Sequence, residues 1–249
     1  MMDFPANINL RGRTAVIVGG GTVATRRTRL LITCGARITV ICRDASPQIQ
    51  EWARAEQLRW IRRNWRPADC ESAFLVIAAT NSTAVNADVA AAANKSPLVC
   101  IAGDVAAGNC SVPAHIRRGR LTVTVSTGGA SPLYAKKLCD AISGRLDRHI
   151  DTYLDFLFTI RQKILVACPE DRSLKIFLLK QLLQPEFFRP DRQAELLKHP
   201  AAWISEQKQR AKSVFETCPK SITERKRHIE TQRSIRNGKG AVDNERPHQ

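Results

Sequence analysis

Residues 14–18 (TAVIV) run directly into three glycines and then into VATRRTRLLITCG, where apolar residues recur at helical spacing. A β-branched run, a glycine turn and an amphipathic helix in that order commit this stretch to a strand–turn–helix unit. Val23, Leu30 and Leu31 are expected to face a sheet, Arg26, Arg27 and Arg29 to lie largely on other faces, and Gly35 to end the helix in the left-handed conformation. The turn itself reads Gly19-Gly20-Gly21-Thr22-Val23-Ala24, a G-x-G-x-x-A dinucleotide fingerprint. In that pattern Gly19 permits the tight turn, and Gly21, with Thr22 and Val23 opening the helix, brings backbone N–H groups to a pyrophosphate. Ala24 is small enough for close packing of helix on strand. The plain alternative is a glycine turn without a ligand.

The alternation continues. Residues 37–42 (RITVIC) read as a second strand, 47–57 as a helix, 59–62 as a weak strand, and 73–79 (AFLVIAA) as a strand with no polar residue, the texture of a parallel sheet buried between helix layers. An Ala-rich helix over 85–93 and an apolar strand over 98–102 complete a doubly wound, Rossmann-like α/β domain, expected to span 1–111. From Val112 a smaller α+β unit follows, 112–147, with a strictly alternating strand over 120–126 and a helix beginning near Ser131-Pro132. A helical segment, 148–219, is expected from Ile150, Tyr153, Leu154, Leu157, Ile160 and Ile164 and later Leu178, Leu179, Leu182 and Leu183, and a polar tail, 220–249, is expected to be partly helical or disordered.

The strand ends nominate chemistry. Where an acid is expected to hold the adenosine ribose, Cys42 is followed by Arg43 and then Asp44; Asp44 suits the ribose and Arg43 suits a 2′-phosphate or the adenine, so the choice between NAD and NADP stays open with NAD preferred. Ala78-Ala79-Thr80 ends the apolar strand in small and polar residues, which leaves room for a nicotinamide ring, and Thr80 equally suits a turn cap. Asp104, just past 98–102, is the best general-base candidate, with a capping role as its alternative. Ser126, Thr127, Gly128 and Ser131 form a turn leading into a helix that suits a carboxylate, flanked by Arg117 and Arg118, and a solvated basic hairpin is the other reading.

Charge narrows the partner. The 249 residues carry 39 Lys and Arg against 23 Asp and Glu, a net +16. Residues 206–249 account for only +5 of it, with 11 basic and 6 acidic side chains, so the preceding body carries +11. Such a body suits nucleic acid, a phosphorylated cofactor or a polycarboxylate. The eight cysteines form no C-x-x-C pair and accompany no His cluster, so no metal site is expected and most read as small buried hydrophobes in a reducing compartment. No apolar run reaches the roughly 18 residues of a membrane span, and no leader pattern opens the chain, so a cytoplasmic location and no membrane partner are expected.

Together, VIVGGGTVATRRTRLL, the AFLVIAAT strand, the Asp after the fifth strand, VPAHIRRGRLTVTVSTGGASP and the later YLDFL and RQKI resemble the precorrin-2 dehydrogenase and sirohydrochlorin ferrochelatase family, the dehydrogenase part of sirohaem synthases, from about residue 5 to about residue 183. The resemblance implies NAD as cofactor, precorrin-2, a tetrapyrrole, as substrate, and a homodimer held through the small middle domain. It implies a separate enzyme for making the substrate, since the length leaves no room for the methyltransferase domain of fused members. It places the catalytic Asp on Asp104: the family's Asn-Val-Val-Asp pattern reads Cys100-Ile101-Ala102-Gly103-Asp104 here, and Asp104 is the carboxylate available in either register, before a shortened loop over 105–110. Iron insertion belongs to some members and leaves ferrous iron open as a second substrate. Thr127 stands where some relatives have Ser, so a serine modification does not carry over.

A different class also accommodates the charge: a nucleotide-sensing regulatory protein associated with nucleic acid. Scarce aromatic residues, the lack of a recognition-helix signature and the mixed charges of the tail weigh against nucleic acid as a partner.

Overall fold

A computed structural model describes residues 3–217; the tail anticipated over 220–249 lies outside the described residues. The chain divides into two compact units. One holds the described residues up to Ile116 together with Val123–Gly144, and the other holds Arg117–Thr122 with the described residues from Arg145 onward.

The first unit is built on five parallel strands, β1 (Thr14–Val18), β2 (Arg37–Ile41), β3 (Arg59–Ile61), β4 (Leu75–Ala78) and β5 (Leu98–Ile101), in the order β3-β2-β1-β4-β5. Helices α1 (Thr22–Thr33), α2 (Pro47–Arg54) and α3 (Thr83–Ala92) make the crossovers. The period-2 geometry of a strand sorts the side chains. Ala15, Ile17, Ile38, Val40, Leu75, Ile77 and Cys100 share one face with Ala24 and Leu31 of α1 and Ile49 of α2, while Val16, Val18, Ile41, Val76, Ala78, Val99 and Ile101 share the other with Val89 of α3. Two covered faces explain why β4 carries no polar residue. Each fully buried Ile, such as Ile17 and Ile77, contributes about 1.5–3 kcal/mol by leaving water.

Register decides where function can gather. Val18 pairs with Ile41 on one side and Ala78 on the other, and Ala78 pairs with Ile101. The four strands therefore end level, and Gly19, Cys42, Ala79 and Ala102 leave the sheet at one carboxyl edge. The order reverses between β1 and β4, the switch point at which open α/β sheets bind ligands.

Strands β6 (Ala114–Arg118) and β7 (Leu121–Val125) form a two-stranded sheet, and α4 (Pro132–Arg145) follows. The division between units falls across this hairpin, whose tip groups with α5 (Ile150–Ala167), α6 (Arg172–Gln181), α7 (Pro190–Lys198) and α8 (Pro200–Thr217). Tyr153, Phe156, Ile160 and Ile164 run down one face of α5 into a core with Leu178, Leu182, Phe187 and Leu196. The buried Tyr153 hydroxyl is satisfied by donating to the Leu182 carbonyl at 3.0 Å.

One burial expectation needs correction, and one position read at helical spacing falls outside its helix. Val23 is 38% exposed, because the buried stripe of α1 runs through Ala24, Thr28 and Leu31 at i, i+4 and i+7; Thr28 is accommodated by donating its hydroxyl to the Ala24 carbonyl at 2.8 Å. Leu183 is 58% exposed, lying beyond the end of α6 where helical spacing no longer applies. Strand β6 was missed, since AHIRR lacks the β-branched alternation that marks LTVTV.

Candidate functional site

The glycine turn after β1 divides its three residues by what each approaches. Gly19 has φ +121°, and a Cβ there would lie 2.2 Å from the Ala79 carbonyl oxygen. Its N–H donates to the Ile41 carbonyl at 3.0 Å, so this glycine stitches β1 to both neighbours. A Cβ on Gly20 would lie 2.3 Å from the Asp44 carbonyl oxygen. The fingerprint assigns that middle position no role, and only the unbroken run of three glycines signalled it. Gly21 differs: a Cβ there meets no protein atom within 4 Å, so the fold itself does not demand glycine at this position.

Gly21 is the N-cap of α1, and no side chain caps that helix. Ser46 and Ser82 cap α2 and α3 by accepting from the Ile49 and Val85 N–H groups. The opening N–H groups of α1 thus keep donor capacity at the positive end of the helix dipole, with no acid in the first turn. Thr22 and Val23 are exposed there, and Ala24 is fully buried against the sheet.

Thr80, after β4, is committed to its own loop. Its hydroxyl donates to Asn86 Oδ1 at 2.8 Å or to the Ser82 carbonyl at 3.0 Å. Asn86, buried on α3, also accepts from the Thr80 N–H and donates to the Thr80 carbonyl, both at 3.2 Å. Sequence reading missed Asn86, which looked like one polar residue in an Ala-rich helix.

Asp104 lies three residues beyond β5 at the same edge and is exposed. Gly103 turns the chain with φ +88°. Asp104 Oδ1 accepts from the Ala106 and Ala107 N–H groups at 3.0 and 3.1 Å, so the capping and acidic readings coexist in one side chain, with Oδ2 bearing no hydrogen bond among the described residues. The loop then returns along β5: Asn109 Oδ1 accepts from the Val99 N–H at 2.7 Å, and the Asn109 and Cys110 N–H groups donate to the Val99 carbonyl. Beneath it, Cys100 and Cys110 share a hydrogen bond. That bond, assisted by the Arg27 guanidinium against the cost of burial, brings the Cys100 thiol down to about 7. The Cys110 thiol, donor to Cys100 and partly buried, is pushed well up.

Arg43 and Asp44 are exposed where β2 ends and border a cavity of about 610 Å³ that also reaches Arg62, Arg63 and Arg66. A second cavity, of about 730 Å³, is lined by Arg37 and Arg59, the first residues of β2 and β3. It opens at the amino ends of the strands, away from the glycine turn.

In the turn before α4, Gly128 and Gly129 have φ +57° and +84°. Ser126 Oγ accepts from the Gly128 N–H, Thr127 Oγ1 from the Ser131 N–H, and Ser131 Oγ caps α4 through the Tyr134 N–H. The amides of Gly128 and Ser131, both expected to face an anion, are therefore used by the turn, leaving the hydroxyl protons as donors. Arg117 and Arg118 group with the second unit, apart from Ser126, Thr127, Gly128 and Ser131 in the first. Nearby Arg120 is structural: its guanidinium pairs with Asp155 at 2.6 Å and lies 3.8 Å above the Phe158 ring.

A dinucleotide fits the turn on two counts: space in front of Gly21 that a Cβ would fill, and an uncapped helix start suited to a pyrophosphate. Residues 6–114 match the family model described as "Putative NAD(P)-binding". The chain is 36% identical over 160 residues to the precorrin-2 dehydrogenase of Bacillus subtilis (strain 168), covering 64% of this chain and 99% of that protein. It is 35% identical over 184 residues to the precorrin-2 dehydrogenase of Priestia megaterium, covering 74% and 91%. A solved structure titled "SirC, precorrin-2 dehydrogenase" matches with a TM-score of 0.70 and 33% identity, over 82% of this chain and all (100%) of that one. With near-complete coverage of relatives at this identity, and a glycine turn and strand-end acid at one sheet edge, the chain belongs to the precorrin-2 dehydrogenase family.

Proposed function

We propose that the protein oxidises precorrin-2 to sirohydrochlorin with NAD as the acceptor, a step in sirohaem synthesis. The observation that carries this reading is the convergence of the glycine turn and Asp104 on one carboxyl edge of the sheet. Gly19, Gly21, Thr22, Val23 and Ala24 form the seat for the pyrophosphate, Arg43 and Asp44 border the adenosine end, and the loop at Thr80 borders the nicotinamide end. When bound, NAD takes up the hydride that the macrocycle gives up.

The macrocycle also releases a proton, and Asp104 is the group positioned to accept it. Oδ1 is held by the Ala106 and Ala107 amides, which fixes the carboxylate and leaves Oδ2 as the proton acceptor. The hydroxyl protons of Ser126, Thr127 and Ser131 are the donors that meet substrate carboxylates. The +11 of residues 1–205 attracts a poly-acid macrocycle over distance. The protein acts as a homodimer through the hairpin and α4, a reading supported by Leu133 and Tyr134, which are 82% and 55% exposed on the first turn of α4.

The test is turnover with precorrin-2 and NAD, read by NADH formation and the sirohydrochlorin spectrum. Absence of both products with folded protein overturns the proposal. A parallel arm with ferrous iron reads sirohaem, whose formation assigns the chelatase step and whose absence confines the protein to dehydrogenation.

A further inference from the structure

Strand β5 closes one side of the five-stranded sheet, so half of its backbone groups face outward with no further strand of that sheet to pair them among the described residues. The N–H groups of Leu98 and Ala102 donate inward, to the Phe74 and Ala78 carbonyls on the β4 side. By the alternation of a strand, Val99 and Ile101 turn their N–H and carbonyl groups to the open edge.

The loop over 103–110 stands where another strand would lie. Asn109 meets Val99 on both of its groups: Asn109 Oδ1 accepts from the Val99 N–H at 2.7 Å, and the Asn109 N–H donates to the Val99 carbonyl at 3.0 Å. Asn109 Nδ2 donates to the Pro97 carbonyl at 3.0 Å, just before the strand begins. A side-chain amide carries a donor and an acceptor together, so Asn109 imitates the peptide group of a neighbouring strand. The approach is close enough that a Cβ on Gly108 would lie 2.4 Å from the Val99 carbonyl oxygen. Further along the same edge, the Ile101 carbonyl accepts from the Asp104 N–H at 3.4 Å.

Asp104 and Asn109 are thus the two ends of one span fastened to one strand edge. Between them the Asp104 carboxylate folds back on the Ala106 and Ala107 amides. Val105, Ala106 and Ala107 are exposed and bring no packing of their own to fix the span. The place of the carboxylate therefore depends on its attachments to β5, of which the Asn109 side chain supplies two. A proton acceptor must stand within hydrogen-bond reach of the proton it removes, and a misplacement of about 1 Å can cost about a hundredfold in rate.

We propose that Asn109 is a positioning residue for proton removal: by clamping the loop to Val99 it sets where Asp104 Oδ2 stands relative to the substrate. The proposal rests on Asp104 being the proton acceptor. Asn109 acts through that carboxylate and meets no reacting atom itself.

A kinetic double-mutant cycle on the full chain, with precorrin-2 and NAD, tests it. Asn109→Ala should lower kcat by about 10- to 100-fold, as for a displaced general base, with the KM for NAD unchanged. In Asp104→Asn, where no proton acceptor is left to position, the same substitution should change the residual kcat by less than about twofold. Asn109→Asp keeps the acceptor for the Val99 N–H and loses the donor to Pro97. It should fold even where the alanine variant does not, and show an intermediate loss of kcat that likewise vanishes in Asp104→Asn. Urea denaturation of every variant confirms that the assays read folded protein. An unchanged kcat in Asn109→Ala or an equal loss in both Asp104 backgrounds overturns this proposal and leaves Asp104 as the base. Parent-like turnover in Asp104→Asn removes the proton acceptor and this proposal with it.

Discussion

Asn86 and Thr80 are joined by three hydrogen bonds, in which one buried amide side chain serves the N–H, the hydroxyl and the carbonyl of a single residue. The effect is to fix the loop after β4 at the sheet edge shared with the glycine turn. Asn86→Ala removes the partner and leaves the Thr80 amide and carbonyl unsatisfied in a half-buried place. A loss of about 1–3 kcal/mol in unfolding free energy is expected, measured by urea denaturation. Asn86→Asp keeps the acceptor and loses the donor to Thr80, so it should recover part of the loss at neutral pH. A stability unchanged in Asn86→Ala would deny the loop this support.

Gly20 and Gly21 are adjacent, and opposite consequences are expected for them. Gly20→Ala forces a Cβ against the Asp44 carbonyl, so the β2–α2 loop must move, and a loss of more than about 2 kcal/mol follows, as for other overpacked sites. Gly21→Val places its side chain where the protein has no atom, so thermal unfolding should move by no more than about 1 kcal/mol. Its NAD affinity should nonetheless fall by at least about a hundredfold, because the pyrophosphate approach is filled. Undiminished NAD binding in Gly21→Val would remove the fingerprint from the cofactor site.

These contrasts mark what was legible in the sequence. Residues 14–18 match β1 because a β-branched run between a loop and glycines has few alternatives, and Gly35 lies at φ +69° where the end of α1 was expected. The parallel sheet was legible because a strand apolar on both faces belongs between two helix layers. Gly20, Asn86 and Asn109 were not, because their importance lies in backbone carbonyl and N–H groups supplied by residues distant in sequence or by loops whose course depends on the finished sheet. Val23 misled for a related reason: a hydrophobic residue in the first turn suits the buried face by type, yet the stripe begins one residue later at Ala24.

The thiol pair gives a pH dependence. Cys100, hydrogen-bonded by Cys110, sits below its ordinary value at about 7. A lowered value contributes stability fully present above the unfolded thiol's value near 9 and lost as pH falls through about 7. Cys110 is raised, and its contribution runs the other way: present below about 9 and lost at higher pH. Stability attributable to the pair should therefore rise between pH about 7 and 9, then decline. Thiolate absorbance of folded protein across this range checks the titration. Cys110→Ala should abolish the early rise, since burial alone pushes Cys100 upward; an unchanged titration would place the thiolate elsewhere.

Asp104 carries two duties that one substitution can separate. Asp104→Asn retains Oδ1 as acceptor for the Ala106 and Ala107 amides and removes the group that takes a proton. Turnover should drop by about 100- to 10,000-fold, the usual worth of a positioned general base, while NAD affinity and unfolding midpoint stay close to those of the parent. Asp104→Ala removes both duties and should lose the loop turn as well, costing about 1 kcal/mol in addition. Because Asp104 is exposed, neither variant opens a cavity, and a loss of activity cannot be assigned to a collapsed core. Equal activity in Asp104→Asn and the parent would leave Asp104 a turn residue only, and proton removal would then have to belong to another group at the sheet edge or to solvent.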